Sequence, residues 1–101
     1  MYLSYVQYNE EKGNNFNKDV LVYALSTCGF CKQALKFLRE HNIPFKYVYV
    51  DLLPIDVRNR LKEDLKNKYD KRVVFPYLII DGKTVVLGFT QEEWEKELGV
   101  K

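Results

Sequence analysis

Val20-Leu21-Val22-Tyr23-Ala24-Leu25, followed at once by Ser26-Thr27-Cys28-Gly29-Phe30-Cys31, is the stretch from which the fold is read. A continuous β-prone apolar run of this kind is what a strand covered on both faces looks like. From Lys32 to His41 the pattern changes, with Ala34, Leu35 and Leu38 at helical spacing. The chain's only two cysteines therefore sit where a strand hands over to a helix. A helix start offers unpaired backbone N–H groups and the positive end of a dipole, and both favour thiolate over thiol. Two thiols three residues apart at such a junction are suited to thiol–disulfide exchange.

Working outward, Asn42 is a terminator for this helix and Pro44 ends it. Phe45-Lys46-Tyr47-Val48-Tyr49-Val50 reads as a second strand closed by Asp51. Pro54 stands near the first turn of a second helix, whose stripe Val57, Leu61, Leu65 and Tyr69 recurs every four residues. Val73 to Ile80 is a third apolar run, interrupted by Pro76, and Asp81-Gly82 is a hairpin turn leading into Thr84-Val85-Val86-Leu87. Thr90-Gln91-Glu92-Glu93 has the form of a capping box opening a last helix, with Trp94 and Leu98 facing inward and Gly99 as the stop.

The order is β-α-β-α-β-β-α. Two strands joined by a helix pair in parallel through a right-handed crossover, whereas the closing hairpin is antiparallel. The expected architecture is an α/β sandwich: a mixed sheet of about four strands with about three helices on its two faces. Residues 19–101 form this domain. Residues 1–18 carry turn formers and few aliphatic side chains, and read as an N-terminal extension. Tyr2, Val6 and Tyr8 share a parity there, compatible with a short edge strand followed by a loop.

Composition sets bounds on function. A length of 101 residues suits one domain with a modest core. The formal net charge of +2 gives no argument for nucleic acid as a partner. No apolar stretch approaches the roughly 18 residues needed to cross a membrane. The opening Met1-Tyr2-Leu3-Ser4-Tyr5 lacks the features of a signal peptide. Two cysteines cannot make a multiply bridged secreted scaffold, so a working dithiol in a reducing cytoplasm is expected.

With Ser26-Thr27-Cys28-Gly29-Phe30-Cys31, Val74-Phe75-Pro76, Asp81-Gly82 and Leu87-Gly88-Phe89 in that order, residues 19–100 resemble the glutaredoxin branch of the thioredoxin superfamily. The resemblance implies a thioredoxin-like fold and a cis peptide bond between Phe75 and Pro76, which frees the Phe75 backbone to pair with an incoming peptide. It implies that Thr27, Gly29, Phe30, Phe75, Pro76 and Gly88 bind substrate around the two thiols. Dithiol members usually carry C-P-Y-C, a lysine where this chain has Leu25, a valine where it has Phe75, and Gly-Gly plus an acidic residue where it has Gly88-Phe89-Thr90-Gln91. Polar handles for glutathione are thus missing or replaced. The chain is similar to the redoxins that serve ribonucleotide reductase and draw electrons from a thioredoxin-type reductase about as much as it is similar to the glutathione-using enzymes.

Cys28, at the helix entrance, is the expected attacking thiol, and Cys31, one turn further and more buried, the resolving one. The expected partners are disulfide-containing proteins, with a thioredoxin-type reductase or glutathione as electron donor. A monomer with no bound cofactor or metal is expected, with glutathione as a candidate co-substrate. The rival reading is an iron–sulfur or zinc carrier on the same cysteines. Gly29-Phe30 echoes the C-G-F-S motif of cluster-binding relatives, but a tetrahedral zinc site needs four ligands and the chain adds only His41 to the thiols. Phe30 and Phe75 read either as an apolar rim around Cys28 or as ordinary core. Lys32, Lys36 and Arg39 read either as a local positive field or as a solvated helix face. His41 reads as a surface residue at a helix end.

Overall fold

In the computed structural model, which describes residues 2–100, the first apolar run is a strand, β2 (Val20–Ala24), buried at all five positions. It is flanked on one side by β3 (Phe45–Tyr49) in parallel and on the other by β4 (Tyr77–Ile80) in antiparallel register. The hairpin partner β5 (Thr84–Leu87) closes one edge, and β1 (Asn9–Glu11) closes the other by pairing antiparallel with β3. The order across the sheet is β1-β3-β2-β4-β5. Three helices complete the fold: α1 (Gly29–Glu40), α2 (Ile55–Tyr69) and α3 (Gln91–Leu98).

Alternation along β2 divides the core between the two faces of the sheet. Val20, Val22 and Ala24 pack with Leu78 and Ile80 under α1 and α3, contributing to a cluster that includes Ala34, Leu35, Leu38 and Trp94. Leu21 and Tyr23 point the other way and pack with Val48, Tyr77 and Ile79 against Leu61 and Leu65 of α2. This is the α/β sandwich expected from the sequence, with helices on both faces. No helix among the described residues is long and apolar enough to cross a membrane.

Three details differ from the sequence reading. The sheet has five strands rather than four, because the N-terminal segment contributes β1; the strand lies at Asn9–Glu11 and not on the Tyr2, Val6, Tyr8 parity. Leu3 and Val6 are instead buried beneath the sheet with the α2 cluster. Residues 73–76 are outside the ladder and β4 begins at Tyr77, since Pro76 has no N–H to donate to a central strand. Val50 leaves β3 to start a 3₁₀ turn over Val50–Leu52, which carries the chain away from the sheet end.

The N-terminal segment is held by contacts with residues far along the chain. Asn14 and Asn15 N–H groups both donate to the Asn42 carbonyl at 3.1 Å. A Cβ on Gly13 would stand 2.4 Å from that same oxygen, so only glycine fits there. Arg39 grips Glu11 through two nitrogens at 3.1 Å each, tying β1 to α1.

Candidate active site

Residues 25–28 form a turn between β2 and α1, closed by the Cys28 N–H donating to the Leu25 carbonyl at 3.3 Å. Cys28 is the N-cap of α1, with extended backbone (φ −89°, ψ 120°), and its sulfur accepts the Cys31 N–H at 3.2 Å. A capping position is normally filled by an oxygen acceptor; here a sulfur takes the role, suited to a sulfur carrying negative charge. Cys31 lies within the first turn of α1, fully buried, and its sulfur accepts the Leu25 N–H at 3.4 Å. Both cysteines are free thiols, Cys28 half-buried and Cys31 buried.

Burial pushes the Cys31 thiol up from its ordinary range, and its interaction with Cys28 adds to that; the Leu25 N–H works in the opposite sense without prevailing. The two sulfurs are therefore inequivalent: one at the rim facing a backbone donor, one beneath it and protonated. A measurable consequence is alkaline sensitivity. An acid whose value is raised on folding contributes stability that is intact below the unfolded thiol value of about 8.5 and is lost as pH climbs above it. Between pH 8.5 and 12, urea midpoints of the reduced protein are expected to fall more steeply than those of Cys31→Ser. Buried Tyr23, also raised by burial, titrates in both proteins and cancels in the comparison. Parallel pH curves for the two would show that Cys31 carries no such linkage.

The structure draws some of the expected substrate-binding residues together. The Phe75–Pro76 peptide bond is cis and Pro76 is buried. Gly88, at φ +76°, donates its N–H to the Pro76 carbonyl at 2.9 Å, so those two are directly joined. Cys28 and Phe75 are both half-buried and pack on the same core cluster. Thr27, Gly29 and Phe30 instead face solvent, and Phe30 is 63% exposed. Phe75 thus packs partly in the core, whereas Phe30 is exposed.

Other candidate residues are accounted for elsewhere. Arg39 is engaged with Glu11 and lies over the Phe45 and Tyr47 rings, each 5.9 Å from the guanidinium carbon, away from the thiols. Lys36 makes only a 4.0 Å solvent-exposed contact with Glu40. His41 caps the far end of α1, ten residues beyond Cys31, or about 15 Å along the axis, so the thiols and His41 of one chain cannot share an ion. Phe89, directly after Gly88, turns into the core against Phe37 and Trp94, with ring centroids 5.8 and 5.0 Å away.

One pair of residues at this end of the sheet was not singled out from the sequence. Asp51 accepts the Ser26 N–H at 2.8 Å and the Ser26 hydroxyl at 2.5 Å. These donors, the hydroxyl first, hold its carboxyl below the usual carboxylate range, with a smaller pull from Arg58. The signal was the register itself. Parallel pairing places Ala24 beside Tyr49, so the residues two beyond each, Ser26 and Asp51, must emerge at the same carboxyl end.

A sequence model of the glutaredoxin family matches residues 20–85 of this chain. Among solved structures, the glutaredoxin from Methanosarcina mazei Go1 superposes with a TM-score of 0.73 at 32% identity, over 93% of this chain and 89% of that one. The methanoredoxin of Methanosarcina acetivorans gives a TM-score of 0.70 at 27% identity, over 84% of this chain and 97% of its own. The glutaredoxin of Archaeoglobus fulgidus gives 0.68 at 30% identity, over 80% and 85%. No curated protein sequence matches.

Proposed function

Because this chain belongs to the glutaredoxin family, a family of thiol–disulfide oxidoreductases, we propose that it reduces protein disulfides through a Cys28–Cys31 dithiol cycle. The observation that carries the reading is the paired geometry of the sulfurs: Cys28 Sγ at the helix start with the Cys31 N–H directed at it, and Cys31 buried one turn below.

Each step balances. Cys28, as thiolate, attacks one sulfur of the substrate disulfide; that S–S bond breaks and the other substrate sulfur leaves, taking up a proton. Cys31 then gives up its proton and attacks Cys28 Sγ, breaking the mixed disulfide and releasing the second substrate sulfur, which is protonated in turn. The substrate has gained two electrons and two protons, and the protein holds a Cys28–Cys31 disulfide. A donor dithiol, or two monothiols, restores it. Among the described residues, neither the N–H nor the carbonyl of Phe75 makes a backbone hydrogen bond, leaving both for an extended substrate segment. Phe30, two residues after Cys28, is 63% exposed, and an exposed ring beside the attacking thiol suits a protein substrate better than a small charged thiol.

The donor we favour is a thioredoxin-type reductase. Leu25 offers no cation for a glutathione carboxylate, and Phe89 is committed to the aromatic cluster rather than to a ligand. The test is the rate at which the Cys28–Cys31 disulfide is reduced by a thioredoxin reductase with NADPH against that by glutathione with glutathione reductase. The reductase is expected to win by at least about tenfold, one missing charge-assisted contact being worth about that much. A glutathione rate equal to or above it would reassign the donor. Failure of both systems to support insulin reduction would remove the oxidoreductase reading itself.

A further inference from the structure

We propose that Asp51 is a positioning residue for the redox turn: by accepting both Ser26 donors, its carboxylate fixes the turn that sets the Cys28 sulfur at the start of α1. The proposal rests on the reading of Cys28 as the reacting thiol and adds to it what holds that thiol in place.

Beside this grip the turn is held by Leu25, which packs on both core clusters, and by the bonds that Leu25 and Cys28 make with Cys31. Its own closing bond, Cys28 N–H to Leu25 carbonyl, is long at 3.3 Å. Thr27 faces solvent, and Gly29 presents no side chain, with nothing within 4 Å of where its Cβ would lie. Ser26 ties the turn to the neighbouring strand end, and both of its donors go to one carboxylate there. Ser26 also follows Leu25, whose N–H faces the Cys31 sulfur, and precedes Cys28 by two residues. A shift of the Ser26 backbone therefore moves both the donor to Cys31 and the seat of Cys28. Asp51 is itself anchored, because β3 is paired with β2 up to Tyr49, immediately before the 3₁₀ turn that presents it. With two hydrogen-bond donors on an ionised carboxylate, this is a clamp rather than a proton acceptor.

A clamp and a mere negative charge make different predictions for two variants. Asp51→Ala removes both. Asp51→Asn removes the charge but keeps an oxygen for the Ser26 N–H, with the amide nitrogen able to donate to the hydroxyl oxygen. Site-resolved alkylation by iodoacetamide at neutral pH, followed by mass spectrometry, reads the placement of each thiol. Cys28 alkylation is expected to slow about tenfold or more in Asp51→Ala, since misplacement of about 1 Å can cost up to 10²-fold. In Asp51→Asn it is expected to stay within about threefold of the unmutated protein, and Cys31 to stay protected in both. An unchanged Cys28 rate in Asp51→Ala overturns the proposal, as does an equal loss in both variants, which would mark a charge effect.

If Cys31 became reactive in Asp51→Ala, the fold would have loosened, and Ser26→Ala would decide. That change keeps the backbone bond and deletes the hydroxyl one. Slower Cys28 alkylation there supports the clamp, and an unchanged rate overturns it. Insulin reduction by the unmutated protein is scored separately: its absence would count against the dithiol cycle, whereas the alkylation rates would still report on the turn.

Discussion

Cys28→Ser is expected to abolish insulin-disulfide reduction, with a fall of at least about 10³-fold, equivalent to about 4 kcal/mol of barrier. The loss is chemical rather than structural. A serine hydroxyl is not ionised near neutral pH and does not form a bond to sulfur that a second thiol could later break. The fold has no reason to suffer, because position 28 is the N-cap of α1 and serine is among the preferred residues there. Its oxygen can accept the Cys31 N–H that the sulfur now accepts at 3.2 Å. Thermal unfolding of Cys28→Ser is therefore expected to match or exceed that of the unmutated protein. Loss of activity with a native midpoint is the diagnostic pair of results. Retention of more than about a tenth of the activity would move the nucleophile elsewhere, and Cys31, fully buried, is poorly placed to replace it.

The elements that could be read from the sequence are those whose signal is local. β2 announces itself by an apolar run with no polar interruption, and α2 by Leu61 and Leu65 within a charged helix. α3 is bounded by its own chemistry: Thr90 Oγ1 accepts the Glu93 N–H at 3.4 Å, and Gly99 takes a left-handed conformation at the end. β1 had no such signal. Asn9, Glu10 and Glu11 are poor strand formers, and they become a strand because β3 would otherwise present an open edge and because Gly13, Asn42 and Arg39 hold the segment against it. Those contacts span some 28 residues of sequence, beyond the reach of any periodicity.

The site divides in the same way. The unequal placement of Cys28 and Cys31 follows from three-residue spacing at a helix start, which puts one at the cap and the other a turn inside. The fate of Phe89 does not, because its partners Phe37 and Trp94 come from two different helices and only their assembly shows that the ring is core. Asp51 was written in the sequence as the end of a strand. Its meaning needed the register of β2 on β3, which alone decides whether an acid past one strand reaches a serine past the other.

Cys31→Ser separates the two halves of the cycle. The first step needs only Cys28, so a substrate disulfide should still be opened. The second needs a sulfur at position 31, and without it the mixed disulfide has no intramolecular exit. A covalent adduct between Cys28 and one insulin chain is expected to accumulate to near stoichiometry, visible by mass and dissolved by excess thiol. Multiple turnover is expected to fall by about 10²-fold or more when no low-molecular-weight thiol is present. An intramolecular thiol held in reach acts at a very high effective concentration, and its removal leaves only bimolecular rescue. Serine at this position will also lower stability, by about 1–3 kcal/mol, because it puts a hydroxyl among Ala34, Leu35 and Leu38. The Leu25 N–H that now faces the sulfur gives that hydroxyl one partner and keeps the cost toward the lower end. Adduct formation should therefore be followed well below the unfolding midpoint, where the variant is native. Full turnover of protein disulfides by Cys31→Ser would exclude Cys31 as the resolving thiol and turn the dithiol cycle into a single-cysteine one. A trapped adduct at Cys28 with turnover lost would fix the order in which the two sulfurs act.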